Sequence, residues 1–249
     1  MKQAQTIDEV IDLLDEIIET CKRDHNPAGY FAALYRKVTK RVKAGILTDE
    51  FEDSERMEKL DVLFANRYIV AYQTFYKGES PTESWRVPFL KAKTFWPIVL
   101  QHLLWGMNAH INLDLGIAAA ETASGTSIDD LQQDFDKINE LLAELVGEVQ
   151  NELSQIWPTL KILLAISGKV DDFFINFSME RARDGAWKFA KILHETDPKE
   201  REALIATRDT RIAEIAEFIH APGLVPRLVF GLIRLGERGS VRKRIEILE

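Results

Sequence analysis

The sequence predicts an all-α fold, a single-domain multi-helix bundle around a central apolar helix at about residues 95–123. Apolar residues recur at spacings of three and four along the whole chain, while the alternating pattern of strands is hard to find. Glycine and proline are sparse, at 13 and 8 of 249 residues. With 46% hydrophobic residues the chain can bury a large core, so one domain over 1–249 is the simplest organisation.

The first three helices carry start and stop signals. Thr6 to Glu9 reads as a capping box that opens a helix running to about residue 24. Asn26-Pro27 places a cap before a proline in the first turn, and this second helix should stop by Gly45. The third is expected from about Ser54 to Tyr76, where a Gly-Glu-Ser-Pro turn ends it.

The fourth segment contains Pro88 and Pro97, which predict a short helix followed by a long one from about Phe95 to Ala123. Between residues 101 and 116 the apolar side chains cover every direction of the helix. A helix of this kind is expected to lie at the centre of the bundle, with its polar groups buried.

The second half of the chain continues in the same way. Ser127 should cap a helix reaching about Ile156, where Trp157-Pro158 interrupts it. An apolar stretch at 160–166, a helix at 178–196 and a helix at 198–220 that begins with Pro198 follow.

Charge and cysteine content narrow the function classes. The net charge of −8 argues against a nucleic-acid partner, and the lone Cys21 excludes an internal disulfide and a cysteine-rich zinc module. The sequence contains no stretch of 18 uncharged apolar residues, so it predicts no membrane-spanning helix. These features suit a cytoplasmic protein whose partner is a small molecule; nothing in the sequence indicates an oligomeric state.

The segment 222–249 differs from the rest, because it is basic and amphipathic. It holds six Lys and Arg against three Glu, a charge of +3, which leaves −11 for the remainder. We expect this cationic segment to pack on the acidic body, in preference to lying on a membrane surface.

Polar residues on apolar helix faces mark the candidate site. His110 and Asp114 are four residues apart on one face of the central helix, and a second face carries two asparagines. Buried polar groups need partners, and three other predicted helices place polar residues in or beside their inward faces. The full set is Arg67, Asn108, His110, Asn112, Asp114, Asp134, Asn139 and Arg183.

Two interpretations of this set remain open. In the functional one, His110, Asp114 and Asp134 face a cavity, either as ligands of a divalent metal or as an acid–base pair with a carboxylate orienting the imidazole. The other residues then bind substrate: Arg67, Asn108, Asn112, Asn139 and Arg183. In the structural one, the same residues form a satisfied network that fixes helix registry, and the protein is a non-catalytic binding or scaffold protein.

A weaker alternative is a magnesium-dependent enzyme similar to class I terpene synthases. Asp129, Asp130 and Asp134 resemble the first acidic metal motif of that family, and Asp172, Asn176 and Glu180 resemble the second. The two motifs lie closer together than in that family, and Asn176 stands where serine or threonine is usual. Serine-hydrolase and phosphate-loop glycine patterns are missing from the sequence.

Five segments together resemble a bacterial all-helical family of unknown function, numbered 5995. They are the segments 31–39 (FAALYRKVT), 64–68 (FANRY), 106–115 (GMNAHINLDL), 134–139 (DFDKIN) and 183–187 (RDGAW). The likeness spans roughly residues 29–190 and brings no established activity with it. The residues chosen from helical geometry lie in these motifs, among them Arg67, Asn108, His110, Asn112, Asp114, Asp134 and Arg183.

We therefore expect an enzyme with a buried polar site. Its substrate is expected to be small and largely apolar, because Phe64, Tyr68, Trp105 and Met107 surround that site with few polar groups.

Overall fold

The computed structural model describes residues 1–157, 179–220 and 224–249, and the described residues form helices and no strand, which confirms the all-α prediction. The helices are α1 Ile7–Arg23, α2 Gly29–Leu47, α3 Ser54–Tyr76, α4 Glu83–Lys91, α5 Val99–Ala109, α6 Leu115–Thr122, α7 Gln132–Ile156, α8 Met179–Glu195, α9 Pro198–His220, α10 Leu224–Gly236 and α11 Val241–Leu248. A π-helical turn, His110–Asp114, joins α5 to α6, and a 3-10 turn, Ile128–Leu131, precedes α7.

Side-chain caps fix several of the helix starts. The Thr6 side chain accepts a hydrogen bond from the Glu9 backbone at 3.2 Å, and Asp53 does the same for Arg56 at 2.9 Å. Helix α2 starts two residues later than a proline in the first turn would require. Asn26 instead caps a tight turn, accepting from the backbone N–H of Ala28 at 3.0 Å.

The central helix lies where the sequence predicts it, but the π-helical turn divides it into α5 and α6. The α5–π–α6 stretch packs against α2, α3, α4, α8 and α9. Pro97 lies before the helix, so Phe95 and Trp96 belong to the preceding loop, where both are exposed. Two glycines allow close contacts: a Cβ at Gly106 would lie 2.3 Å from the Phe31 ring, and one at Gly116 would lie 2.8 Å from the Ala186 carbonyl oxygen.

The basic C-terminal segment contributes two helices. Helix α11 packs on α1, α2 and α7 and buries Ile245 and Leu248. Helix α10 buries Phe230 and Ile233 in a cluster with Ile98 and Trp157. In the described ranges, no helix combines the length and the apolar character that crossing a membrane requires. The apolar stretch expected at 160–166 lies outside the described residues.

Candidate functional site

The candidate site is built on the π-helical turn. The backbone N–H of Leu115 donates to the carbonyl oxygen of His110, five residues back, which widens the helix at this point. π-Helical turns of this kind occur often at functional sites. The two titratable residues at the ends of the turn, His110 and Asp114, are buried at 2% and 1% exposure.

Asp114 collects hydrogen bonds from three helical segments. Its Oδ1 accepts from Arg67 Nε on α3 at 2.8 Å. Its Oδ2 accepts from Trp85 Nε1 on α4 at 2.7 Å and lies 3.1 Å from His110 Nδ1 in the same turn. A buried carboxylate needs this number of donors, so Asp114 ties α3 and α4 to the central helix.

The pKa shifts of Asp114 and His110 indicate the protonation state of each residue. Burial alone would raise the pKa of Asp114, but the Arg67 charge and the hydrogen bonds from His110 and Trp85 outweigh burial and lower it. Burial lowers the pKa of His110 by more than its carboxylate partner restores. Asp114 is therefore ionised near neutral pH and His110 is neutral, with its proton on Nδ1 and a lone pair on Nε2.

Aromatic side chains enclose His110. Its ring stacks on Phe64 with centroids 3.5 Å apart, and it meets the Tyr35 ring in a T-shaped contact with centroids 4.4 Å apart. Among the described residues, His110 Nε2 and the hydroxyls of Tyr35 and Tyr68 are buried without a hydrogen-bond partner. Each such atom costs roughly 1–3 kcal/mol, so three of them around one imidazole require an explanation.

A buried carboxyl group, Asp61, lies in the same region. One of its oxygens has no partner among the described residues. Burial, with a smaller contribution from Glu58, raises the pKa of Asp61 to about 7. After burial, Asp61 and then Asp114 are the main charges that raise the pKa of Tyr35.

A cleft of about 530 Å³ reaches Asp114 from the solvent side. It lies between α3, the start of α4, α6 and the N-terminal residues, and Arg67, Trp85, Asn66 and Glu121 are in its wall. His110 does not line it. The Arg67 side chain is 25% exposed, and the described residues give its two Nη groups no hydrogen-bond partner.

The two predicted asparagines connect the central helix to α9 instead. Asn108 Nδ2 donates to the Ile212 carbonyl oxygen at 3.0 Å, and Asn112 Nδ2 donates to Asn108 Oδ1 at 3.1 Å. Arg208 Nε donates to the Asn112 carbonyl oxygen at 2.6 Å. These bonds fix helix registry, and neither asparagine lines the cleft.

The structure does not bring Asp134 to the His110–Asp114 pair. Asp134 accepts from the backbone N–H of Glu52 at 2.6 Å and from Arg56 Nη2 at 2.7 Å. Arg56 precedes Arg67 by eleven residues on α3, about 16 Å of helical rise. Asp134 does face inward as predicted, but it meets the bundle near the start of α3.

The predicted metal site of His110, Asp114 and Asp134 is therefore not assembled. In the part of the chain that the structure describes, no group of three His, Cys, Asp or Glu side chains could hold a metal ion. The hydrogen bonds of Asp114 to Arg67 and Trp85 already occupy both of its oxygens. Asp114 and Asp134 were predicted to lie together because a helical pattern shows which face of its helix a residue occupies. It does not show how far along the bundle that residue lies relative to residues on other helices.

The remaining predicted residues do not join the cleft either. Arg183 on α8 is 6% exposed, and burial lowers its pKa to about 10. The Asn139 side chain lies outside the described residues. In the first acidic motif of the terpene-synthase alternative, Asp129 pairs with Lys191 at 2.8 Å. Asp172, Asn176 and the side chain of Glu180 lie outside the described residues.

Sequence reasoning missed four residues of this region, namely Tyr35, Asp61, Tyr68 as a polar group, and Trp85 as the indole donor. Asp61 follows Leu60 on the core face of α3, and that position was a usable signal. Trp85 had none, because its indole N–H reaches Asp114 through the packing of α4 against the central helix.

Comparison with known proteins identifies the family. A family model described as "Family of unknown function (DUF5995)" matches residues 7–222. Searches of curated proteins and of solved structures found no match. Since the family model covers most of the chain, the protein belongs to the DUF5995 family, whose function is unknown.

Proposed function

We propose that the protein binds a small organic molecule that carries a carboxylate or phosphate group, and that this group is held by Arg67 in the 530 Å³ cleft. The proposal is based on the hydrogen bonds of the Arg67 guanidinium. Its Nε is fixed by buried Asp114, its two Nη groups have no partner among the described residues, and Arg67 lines the cleft.

The guanidinium of Arg67 is preorganised for an anion. A planar guanidinium can offer parallel N–H groups to a carboxylate or phosphate, which makes arginine suited to such ligands. Asp114 holds Arg67 in place and is itself held by Trp85 and His110. Support of this kind reduces the entropy lost when a ligand binds.

The rest of the cleft defines the other part of the ligand. Its volume lies within the usual range for small-molecule sites, about 300–1,000 Å³. Val70, Ala71 and Trp85 supply apolar wall, and Glu121, about 10 Å along the helix from Asp114, supplies a negative charge. We infer a ligand with an anionic end at Arg67, an apolar middle and a hydrogen-bond donor near Glu121.

Isothermal titration calorimetry of the full chain with benzoate and phenyl phosphate tests the proposal, with benzyl alcohol as the uncharged probe. We expect both anions to bind in preference to the alcohol. Arg67→Met should weaken anion binding by about tenfold or more, because a charge-assisted bidentate contact is lost.

The matched control is Arg56→Met. Arg56 lies on the same helix and also pairs with a buried aspartate, but it does not line this cleft. Circular dichroism should show both variants folded, and Arg67→Lys keeps a positive charge if Arg67→Met is unstable. Equal anion affinity in wild type and both Arg67 variants, or no preference for the anions, would refute the proposal.

A second candidate function is general acid–base catalysis by His110, which is favoured by its buried, unpartnered Nε2. An ionised Asp114 on Nδ1 leaves Nε2 as the proton acceptor, as a general base requires. Substrate would have to reach Nε2 past Phe64 and Tyr35.

The tautomer of His110 tests this second candidate. A long-range nitrogen–proton NMR spectrum should show His110 neutral at pH 7, with Nδ1 protonated and Nε2 bare; the same spectrum of His110→Gln assigns the signals. A protonated Nε2 would contradict the candidate, because no lone pair would then be available to a substrate.

A further inference from the structure

Helix α10 presents an apolar face that the described residues leave exposed. Leu228, Leu232 and Leu235 are spaced four and three apart, which places them on one face of the helix, and they are 72%, 72% and 71% exposed. A Cβ placed at Gly231 would meet no atom of the described residues within 4 Å, so these residues leave this side of the helix open. The opposite side, with Phe230 and Ile233, is the one that packs into the core.

Two exposed aromatic residues adjoin this helix. Phe95 and Trp96, in the loop before α5, are 62% and 63% exposed, with ring centroids 5.5 Å apart. Arg234 on α10 holds the loop in place: its Nε donates to the Phe95 carbonyl oxygen at 2.6 Å, and its guanidinium lies 4.6 Å from the Phe95 ring centroid. Five large apolar side chains are thus exposed on one helix and the loop bonded to it.

The segment that contains this helix is basic, although the whole chain is acidic. Residues 222–249 carry a net charge of +3 within a protein of −8. Exposed Arg238 has no ion pair among the described residues, and exposed Lys93 lies in the same loop as Phe95. Leucine and aromatic side chains bordered by cations are the composition of helices that lie in the interface of a membrane.

We propose that this surface, formed by Leu228, Leu232, Leu235, Phe95 and Trp96, binds the surface of a membrane that contains anionic lipid. The five side chains enter the boundary between head groups and acyl chains, with α10 parallel to the membrane plane. The neighbouring cations face the lipid phosphates and carboxylates. Five large apolar side chains that are each more than 60% exposed call for an occupant, and the neighbouring cations favour lipid over an apolar protein partner.

Vesicle sedimentation of the full chain tests the proposal. We expect weak binding to phosphatidylcholine vesicles and clear binding when about 30% phosphatidylserine is present, with a decrease at raised salt. Replacing the three leucines with glutamine should lower the bound fraction about tenfold or more. Because these side chains are exposed, the variant should keep its fold, which circular dichroism checks.

The matched control is Leu47→Gln, because Leu47 is 73% exposed at the end of α2. This variant should bind vesicles as wild type does. In the unmodified chain, anionic vesicles should also shift the tryptophan emission to shorter wavelength, and Trp96→Phe should remove that shift.

Two results would overturn the proposal. One is no binding of the wild-type chain to anionic vesicles. The other is a dimer that forms with rising protein concentration in light scattering and that the leucine variant does not form, in a chain that binds no vesicles. This result would assign the surface to a second copy of this chain. Neither result bears on ligand binding at Arg67.

Discussion

At the residue scale, the most unusual group is Asp61, a carboxyl buried at 4% exposure with one oxygen unpartnered among the described residues. Its pKa is about 7 in the folded protein, well above its ordinary value of 3.8. The folded state therefore holds a proton that the unfolded state has lost between these pH values. Stability from this group is present at low pH and is lost as pH rises towards 7.

Asp61→Asn removes this titration. Relative to wild type, the variant should gain roughly 1.4 kcal/mol of unfolding free energy per pH unit between pH 5 and pH 7, and little more above pH 8. Urea unfolding at several pH values measures the difference. A constant difference across this range would show that Asp61 titrates normally.

Asp209→Asn provides the contrast. Asp209 is also buried, but its two oxygens accept the backbone N–H groups of Glu83 and Ser84 at 2.6 and 2.9 Å, which caps α4. Loss of its charge should destabilise the protein by about 1–2 kcal/mol, because a charged cap is replaced by a neutral one.

At the element scale, the central helix depends on close contact with α2. The Cβ that alanine would add at Gly106 falls 2.3 Å from two atoms of the Phe31 ring. That ring cannot move freely, since it contacts Tyr68, Trp85 and His110 with centroids 5.1 to 5.8 Å away. The contact between Gly106 and Phe31 thus supports the aromatic enclosure of His110.

Gly106→Ala should destabilise the protein by about 2 kcal/mol or more, because overpacking outweighs the gain in helix propensity. Gly147→Ala on α7 is the control: its added Cβ would meet no atom of the described residues within 4 Å, so a gain of about 0.5–1 kcal/mol is expected. Thermal or urea unfolding measures both. Equal effects of the two substitutions would mean that the Gly106 contact is not tight.

At the scale of the whole molecule, periodicity and caps predicted most of the architecture. The bounds of α3 and the inward direction of His110, Asp114 and Asp134 agree with the structure. The sequence could not show which residues of different helices lie at the same height in the bundle, because that depends on how the helices pack. In the structure Arg67 pairs with Asp114, whereas Asp134 pairs with Arg56, nearer the start of α3.

The π-helical turn and the cleft were also beyond sequence reasoning. A π turn needs one extra residue in a helix, and the repeat of apolar residues changes too little over five residues to reveal it. The cleft forms where α3, α4, α6 and the N-terminal residues meet. For this reason the sequence indicated a catalytic His110 in a cavity, whereas the structure places Arg67, Asp114 and Trp85 at the cavity and encloses His110 in aromatic rings.

Binding of an anionic ligand by Arg67 can be observed at the residue itself, by an NMR titration of the arginine Nε–H signals with phenyl phosphate. The Arg67 signal, identified by its loss in Arg67→Met, should shift with saturation while the signal of Arg56 stays fixed. If both signals shift equally and without saturation, phenyl phosphate does not bind specifically at Arg67, and the proposed anion site is wrong.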